Sequence, residues 1–183
     1  MSKVVAVIYI SMDGVVEAPA WTGPFWNDDH GKFQAGQLAQ SRALLLGRVT
    51  YDGMAQAWPQ MEAAGQDVGE MNNLPKYVAS TTLTDPTWNA TVIDGDVAEE
   101  VAKLKAEDGK DLLIYGSGDL VNYLIEHDLV DELKLFLHPV VVGTGKRLFA
   151  DGIDTKTWRL GGTHVFSSGA IVLDYRPAAR QEA

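Results

Sequence analysis

Apolar residues fall along this chain in short blocks separated by polar turns, and the spacing within each block sets the element it predicts. The first block, residues 4–10 (VVAVIYI), is apolar and largely β-branched, as in a strand buried on both faces. Asp13-Gly14 then supplies turn chemistry. Residues 17–29 (EAPAWTGPFWNDD) hold two prolines, a glycine and three aromatics and predict a long loop. Such a loop in a compact domain is more often functional than idle. Its polar end, Asn27-Asp28-Asp29, can cap a helix running to about Ser41. Residues 43–46 predict a second strand, and residues 50–58 a short helix closed by Pro59. Residues 60–75 are polar and contain glycine, so they predict loop, followed by short strands at 76–80 and 91–93.

Val97, Val101 and Leu104 recur at helical spacing, which predicts a helix over 96–107 with Asp96 as its cap and Gly109 just beyond its end. A buried strand is expected at 111–115. Gly116-Ser117-Gly118 then turns into a helix over 120–127, where Leu120, Val121, Leu124 and Ile125 form an apolar stripe. Over 131–138 Leu133, Leu135 and Leu137 alternate with Glu132, Lys134 and Phe136, a period of two and hence a strand. Residues 157–177 (TWRLGGTHVFSSGAIVLDYRP) predict a hairpin turning at Ser168-Gly169. Helices thus alternate with strands up to residue 138 and a hairpin follows. The pattern implies an α/β fold with a mostly parallel sheet and an antiparallel edge, in a single domain over 1–183.

Composition narrows the function classes. The formal charge is −10 over 183 residues, which argues against nucleic acid or an anionic membrane as the main partner. Cysteine is absent, so disulfides and thiolate zinc sites are excluded and a reducing cytoplasm is the expected setting. The N-terminal apolar run is too short for a secretory signal, and no run approaches the roughly 20 apolar residues of a membrane span. His127, His138 and His164 show no metal-ligand spacing and read as structural, with His30 a lid or helix-start residue.

Two strand ends share a design that could carry chemistry. LLLGRVT (44–50) and LLIYGSGDLVNYL (112–124) each run from apolar strand through glycine into helix. In open α/β sheets ligands gather outside the carboxyl ends of strands. A helix N-terminus there offers free N–H groups and partial positive charge, which suits phosphate, and glycine allows close approach. Arg48 adds a fork matched to a phosphate group. Each motif alone is also readable as an ordinary turn. Gly116-x-Gly118 is short of a full dinucleotide fingerprint, because Val121 holds the last glycine position, and Asp119 adds a negative charge that a helix cap would explain.

As a set, the motifs resemble the dihydrofolate reductase-like superfamily. SMDGVVE (11–17), LLLGRVTYDGMAQAWP (44–59), KYVASTTL (76–83), residues 112–149 and the closing hairpin occur in that family's order over nearly the whole chain. The resemblance is strongest to the branch holding the C-terminal reductase domain of the bacterial bifunctional riboflavin-biosynthesis deaminase-reductase and its stand-alone relatives. It implies the three-layer fold of that superfamily, with a mostly parallel central sheet and an antiparallel C-terminal hairpin edge. It also implies an NADPH-dependent reductase of the dihydrofolate or 5-amino-6-(5-phosphoribosylamino)uracil reductase type. Carried over by position, Gly47, Arg48 and Thr50 would hold the 2′-phosphate and pyrophosphate, and Ser80, Thr81 and Thr82 would line the adenosine side. Gly116, Ser117, Gly118, Asp119 and Leu120 would pack against pyrophosphate and nicotinamide.

On the substrate side, Trp21, Phe25 and Trp26 could stack on a flat heterocycle or plug the loop onto the core. Dihydrofolate reductases proper place one buried carboxylate early on the helix after this loop, where a raised pKa lets it relay a proton. Asp29 lies near that position and Asp13 ends the first strand, so both are candidate catalytic groups, although a cap and a turn former are their plainer readings. The extended Asp-x-Pro-x-Leu-Thr segment of the riboflavin reductases and their zinc-binding deaminase domain are missing, which leaves the substrate open. The expected reaction is hydride transfer to a C=N or C=O bond of a pterin- or pyrimidine-like compound, and the alternative is a non-catalytic nucleotide-binding or ligand-sensing module. Lys146 and Arg147 in VVVGTGKRLF form either a further anion loop or a tight turn with its charges in solvent. Relatives of this domain commonly form homodimers, for which the strand at 132–137 or the hairpin could supply an apolar face.

Overall fold

The computed structural model describes residues 1–178. In chain order the elements are β1 (Val4–Ser11), α1 (Asp28–Ala39), β2 (Ser41–Gly47), α2 (Arg48–Ala63), β3 (Lys76–Ala79), β4 (Ala90–Ile93) and α3 (Val97–Ala106). They continue with β5 (Asp111–Tyr115), α4 (Gly118–Glu126), β6 (Glu132–His138), β7 (Trp158–Val165) and β8 (Ile171–Pro177). The strands form one sheet in the order β4-β3-β2-β5-β1-β6-β8-β7. All neighbours from β4 to β6 are parallel, while β8 runs antiparallel to β6 and β7 antiparallel to β8.

The central strands are apolar throughout residues 4–8, 43–46 and 112–115 because both faces are covered there. Val4, Ala6, Ile8, Ala43, Leu45, Leu112 and Ile114 point to one face and join Val101 of α3 and Leu120, Val121, Leu124 and Ile125 of α4. Val5, Val7, Leu44, Leu46, Leu113 and Tyr115 point to the other and meet Leu38 of α1 and Tyr51 of α2. Each fully buried Leu or Val contributes about 1.5–3 kcal/mol, so this sandwich of helices on both faces is what fixes the three layers. Asn27 caps α1 by accepting from His30 N–H, and Asp96 caps α3 by accepting from Glu99 N–H.

Several boundaries differ from the sequence pattern. The helix expected over 50–58 runs from 48 to 63, with Pro59 inside it rather than ending it. Pro59 is exposed, so the carbonyl that loses its partner there can turn to water. The expected loop at 60–75 therefore begins as helix and contains a 3₁₀ turn, Gly69–Met71, whose Met71 is buried. The loop at 17–29 contains a 3₁₀ turn over Pro19–Phe25, and α4 starts at Gly118 rather than at residue 120. Lys76, which opens β3, is fully buried. Its Nζ donates to the Asn72 carbonyl at 3.0 Å and lies 4.0 Å from the Trp88 ring, and burial pulls its pKa down to about 8.

Candidate functional site

The parallel strands β1, β2, β3, β5 and β6 all end at the same side of the sheet, and the predicted residues collect there. β2 and β5 are neighbours, so the turns that follow them touch. The N–H of Gly47 donates to Ser117 Oγ at 2.7 Å. A Cβ on residue 47 would lie 3.0 Å from that oxygen, so a side chain here crowds the contact and Ser117 must give by a few tenths of an ångström to admit it. Gly116, at φ +69°, packs its open side against Thr50. Ser117 also adopts a left-handed backbone, φ +64°, the kind of strained position that concentrates at functional sites.

The N-termini of α2 and α4 therefore lie side by side, and neither has a side-chain cap. Their first N–H groups and partial positive charge are open to an anion. Arg48 lies beside them. Its Nε pairs with both oxygens of Asp52, at 2.9 and 2.8 Å, and its Nη1 donates to Thr82 Oγ1 at 3.1 Å, which ties α2 to the loop after β3. Ser80 Oγ accepts from the N–H groups of Thr82 and Leu83 and shapes that loop, on which Thr81 is exposed. Asp119 faces Lys146 in an ion pair, which neutralises the negative charge beside the glycine turn. Gly118 packs against Val16. The side chain of Leu120 belongs to the core, so only its main chain is available to a ligand.

Asp13 serves the loop across from it. Its carboxylate accepts from Ser11 Oγ at 2.7 Å, Val142 N–H at 3.0 Å and Gly143 N–H at 2.8 Å. The Ser11 hydroxyl first, then these two amides, hold its pKa down to about 2, so it is a fixed carboxylate rather than a proton source near neutrality. Arg147 Nε donates to the Asp13 carbonyl at 3.0 Å. Lys146 and Arg147 are both exposed, as in a turn that keeps its charges in solvent, and they are partnered there by Asp119 and by the Asp13 main chain.

Toward the β6 side of the same end of the sheet, the first turn of α1 divides its residues. Asp28 and Asp29 face solvent, and Asp29 meets Ser167 Oγ at 3.3 Å. The next residue, His30, turns inward and is 1% exposed. His30, Phe33 and Leu38 lie on the buried stripe of the helix, so the sequence position expected for a buried carboxylate is taken one residue later by an imidazole. His30 Nε2 is 3.0 Å from Tyr9 Oη, and His30 Nδ1 is buried with no partner. Burial first, then the nearby His138, lowers the His30 pKa to about 4. The register of β1 on β6 brings Tyr9 level with Phe136 and Ser11 level with His138. His138 is fully buried and its Nδ1–H donates to the Phe136 carbonyl at 2.8 Å.

The three loop aromatics meet at this pair. Trp26 lies over the His30 ring with centroids 3.9 Å apart, while Trp21 and Phe25 point edges at His138, at 5.6 and 5.8 Å. Tyr9 and the His30–His138 pair were not singled out as site residues in the sequence. A sequence signal exists for His30 alone, which shares the helical spacing of Phe33 and Leu38 on the inward stripe of α1. Among the described residues, no group of three or more His, Asp or Glu side chains could hold a metal ion. A polar cavity at the opposite strand ends, lined by Lys3, Gln37, Asp111, Glu132, Lys134 and Arg176, is occupied by its own ion pairs around Glu132. No helix among these residues is long and apolar enough to cross a membrane.

Comparison with known proteins agrees with this fold. The family model described as the RibD C-terminal domain matches residues 2–172. The uncharacterized protein YyaP of Bacillus subtilis (strain 168) is 31% identical over 176 residues, covering 94% of each chain. Among solved structures, a putative riboflavin biosynthesis protein from Shewanella sp. PV-4 superposes with a TM-score of 0.76 at 19% identity, over 98% of this chain and all of that one. A dihydrofolate reductase from Enterococcus faecalis, complexed with NADP(H), gives a TM-score of 0.66 at 18% identity over 97% of both chains. The fold is therefore dihydrofolate reductase-like, with the mostly parallel sheet and antiparallel C-terminal hairpin of that superfamily.

Proposed function

Because this chain belongs to the RibD C-terminal domain family, we propose that it is an NADPH-dependent reductase acting on a small flat heterocycle of pterin or pyrimidine type. The observation that carries this reading is the meeting of two uncapped helix N-termini at Gly47 and Ser117, with Arg48 beside them. A pyrophosphate needs such a cradle of N–H groups without a Cβ in the way. The residues present fit it: Gly47 and Gly116 keep the floor open, and Lys146 cancels the charge of Asp119. The dihydrofolate reductase of the same fold was solved with NADP(H), which supports the choice of anion.

In this reading Gly47, Thr50, Gly116, Ser117, Gly118, Asp119 and Leu120 line the pyrophosphate and nicotinamide side. Ser80, Thr81 and Thr82 line the adenosine side. Arg48, released in part from Asp52, turns its fork to the 2′-phosphate. The bound cofactor supplies the hydride. The chain supplies orientation and an aromatic cover of Trp21, Phe25 and Trp26 over His30 and His138, which the substrate ring would displace in part.

Arg48→Ala is the test. NADPH affinity should fall roughly 10- to 100-fold, the scale of a charge-assisted contact, with NADH affinity unchanged. Equal losses for the two cofactors, read by calorimetry, would remove Arg48 from the 2′-phosphate; no binding of either by the unaltered protein would end the reading. A ligand-sensing module is the second reading, favoured by the placement of Asp13 and Asp29, one tied to amides and the other in solvent. NADPH binding without NADPH oxidation across pterins, quinones and pyrimidinones would select it.

A further inference from the structure

We propose that His30, fixed in one tautomer by Tyr9, is the polar contact of the substrate pocket, and that it selects an uncharged flat ring offering a hydrogen-bond acceptor. The proposal locates the substrate end of the site described above and so rests on that reading for its place in the cleft, but its chemistry comes from four observations.

The first is the direction of the Tyr9–His30 bond. Oη of Tyr9 lies 3.0 Å from His30 Nε2, and this is the one partner recorded for the phenol among the described residues. A buried phenol that has one acceptor in reach donates to it. Nε2 is then the bare nitrogen, and the ring proton sits on Nδ1. The second is that Nδ1 is buried and unpartnered. A buried N–H without an acceptor has lost its water without replacement, and a ligand carbonyl or bare ring nitrogen would restore that hydrogen bond.

The third observation is that, among the described residues, no recorded ion pair or hydrogen bond joins a carboxylate to this imidazole, and its recorded ring contacts are all aromatic. From β1 it meets Tyr9, from β6 Phe136 and His138, from the 3₁₀ loop Trp26, and from the hairpin Phe166. The bare Nε2 of His138, itself buried without a partner, can accept one hydrogen bond, but neither imidazole brings the negative charge with which a buried carboxylate would hold a protonated amidine-like ring. Burial keeps Tyr9 a phenol by raising its pKa and keeps both histidines neutral by lowering theirs.

The fourth is the way the cover is attached. The recorded hydrogen bonds of residues 18–26 close within the loop or to its own start: Ala20 N–H to Ala18 O, Thr22 Oγ1 to Pro19 O, Trp26 N–H to Gly23 O, and Trp21 Nε1 to Glu17 O. Its hold on the cleft is aromatic, through Trp21 and Phe25 on His138 and Trp26 on His30. Trp26 is 47% exposed. Lifting this segment breaks no recorded hydrogen bond to the sheet, and an incoming flat ring replaces the aromatic contacts that lifting loses.

A matched pair of probes tests this: pteridine-2,4-dione, uncharged, and 2,4-diaminopteridine, which binds as a cation beside a carboxylate. Affinities are measured by calorimetry with and without NADPH, so that a failure of cofactor binding is read separately. The unaltered protein should bind the dione at least tenfold more tightly than the diamine. His30→Asp should move that ratio at least tenfold toward the diamine, and His30→Asn, which keeps a neutral donor, should move it little. Tyr9→Phe, at a positioning residue, should weaken the dione three- to tenfold and turn the single His30 tautomer seen by ¹⁵N NMR into a mixture. Circular dichroism identifies any variant that fails to fold, and the Tyr9→Phe spectrum then carries the test. Binding of neither probe, tighter binding of the diamine, an unmoved ratio in folded His30→Asp, or an unchanged tautomer in Tyr9→Phe would each overturn the proposal.

Discussion

Ser117 holds a left-handed backbone that a non-glycine residue adopts at a cost of about 1 kcal/mol, and its hydroxyl then accepts the Gly47 N–H. The two residues are 70 apart in sequence, and the contact joins the two turns that line the proposed cofactor cradle. Gly47→Ala would drive a Cβ to 3.0 Å from Ser117 Oγ and 3.1 Å from its Cβ. The loss should be about 1–3 kcal/mol, by urea denaturation, together with weaker NADPH binding. Ser117→Gly should be close to neutral, since it loses one hydrogen bond and relieves the backbone. The double variant should recover at least half of the Gly47→Ala loss, because the clashing atoms are gone. Strict additivity of the two changes would show that this contact is not what makes residue 47 a glycine.

At the scale of elements, α2 joins the site to the body of the protein. Its N-terminus carries Arg48 and its last turns carry Pro59 on an exposed side. Proline there removes a helix hydrogen bond and crowds the preceding turn, a cost of up to about 3 kcal/mol, partly offset by a stiffer unfolded chain. Pro59→Ala should therefore raise stability by about 1–2 kcal/mol and slow amide exchange over residues 59–63, with cofactor affinity unchanged because the N-terminal turn is three turns away. A fall in stability would mean that the proline shapes the run into the 3₁₀ turn at 69–71. The same helix shows how a local rule is overridden. Pro59 reads as a stop, yet Tyr51 is anchored in the core and Met54, Ala55 and Trp58 pack beside it, which keeps the helix going.

For the molecule as a whole, pH acts through groups buried in one ionisation state. His30 and His138 are neutral in the fold, with Tyr9 from β1 and each other as the titratable neighbours and Trp21, Phe25, Trp26, Phe136 and Phe166 filling the remaining sides. A histidine whose folded pKa is depressed to about 4 contributes in full above its unfolded value near 6.5 and loses that contribution as pH falls from 6.5 to 4. For His30 the loss is at most roughly 3 kcal/mol, and His138 adds to it in the same direction. Asp13, held down to about 2, contributes above about 4 and is lost as pH falls through 2, so it adds a second, more acid step. The urea midpoint should be level from pH 8 to 7 and decline steadily from 6.5 to 4. A level midpoint down to pH 5 would mean that the histidines are solvated in the native state.

Local pattern by itself determined most of the architecture. Residues 43–46 and 112–115 are apolar at every position, and such strands are stable only with helices on both faces, which forces the parallel three-layer arrangement. The hairpin at 168–169 and the caps Asn27 and Asp96 follow from nearest neighbours in the chain. Glycines at 47 and 116 marked strand ends suited to anions, and the structure sets these two turns against each other. What only the tertiary structure decided is what stands opposite what. Arg48 reaches Thr82, Lys146 reaches Asp119, and Asp13 reaches the amides of 142 and 143. His30 and His138 carried no sequence signal as a pair, because 108 residues separate them and neither lies in a motif. The β1–β6 register and the inward turn of α1 bring them together under the loop aromatics. Periodicity reports which face of an element is buried, and it carries no information about which other element that face will meet.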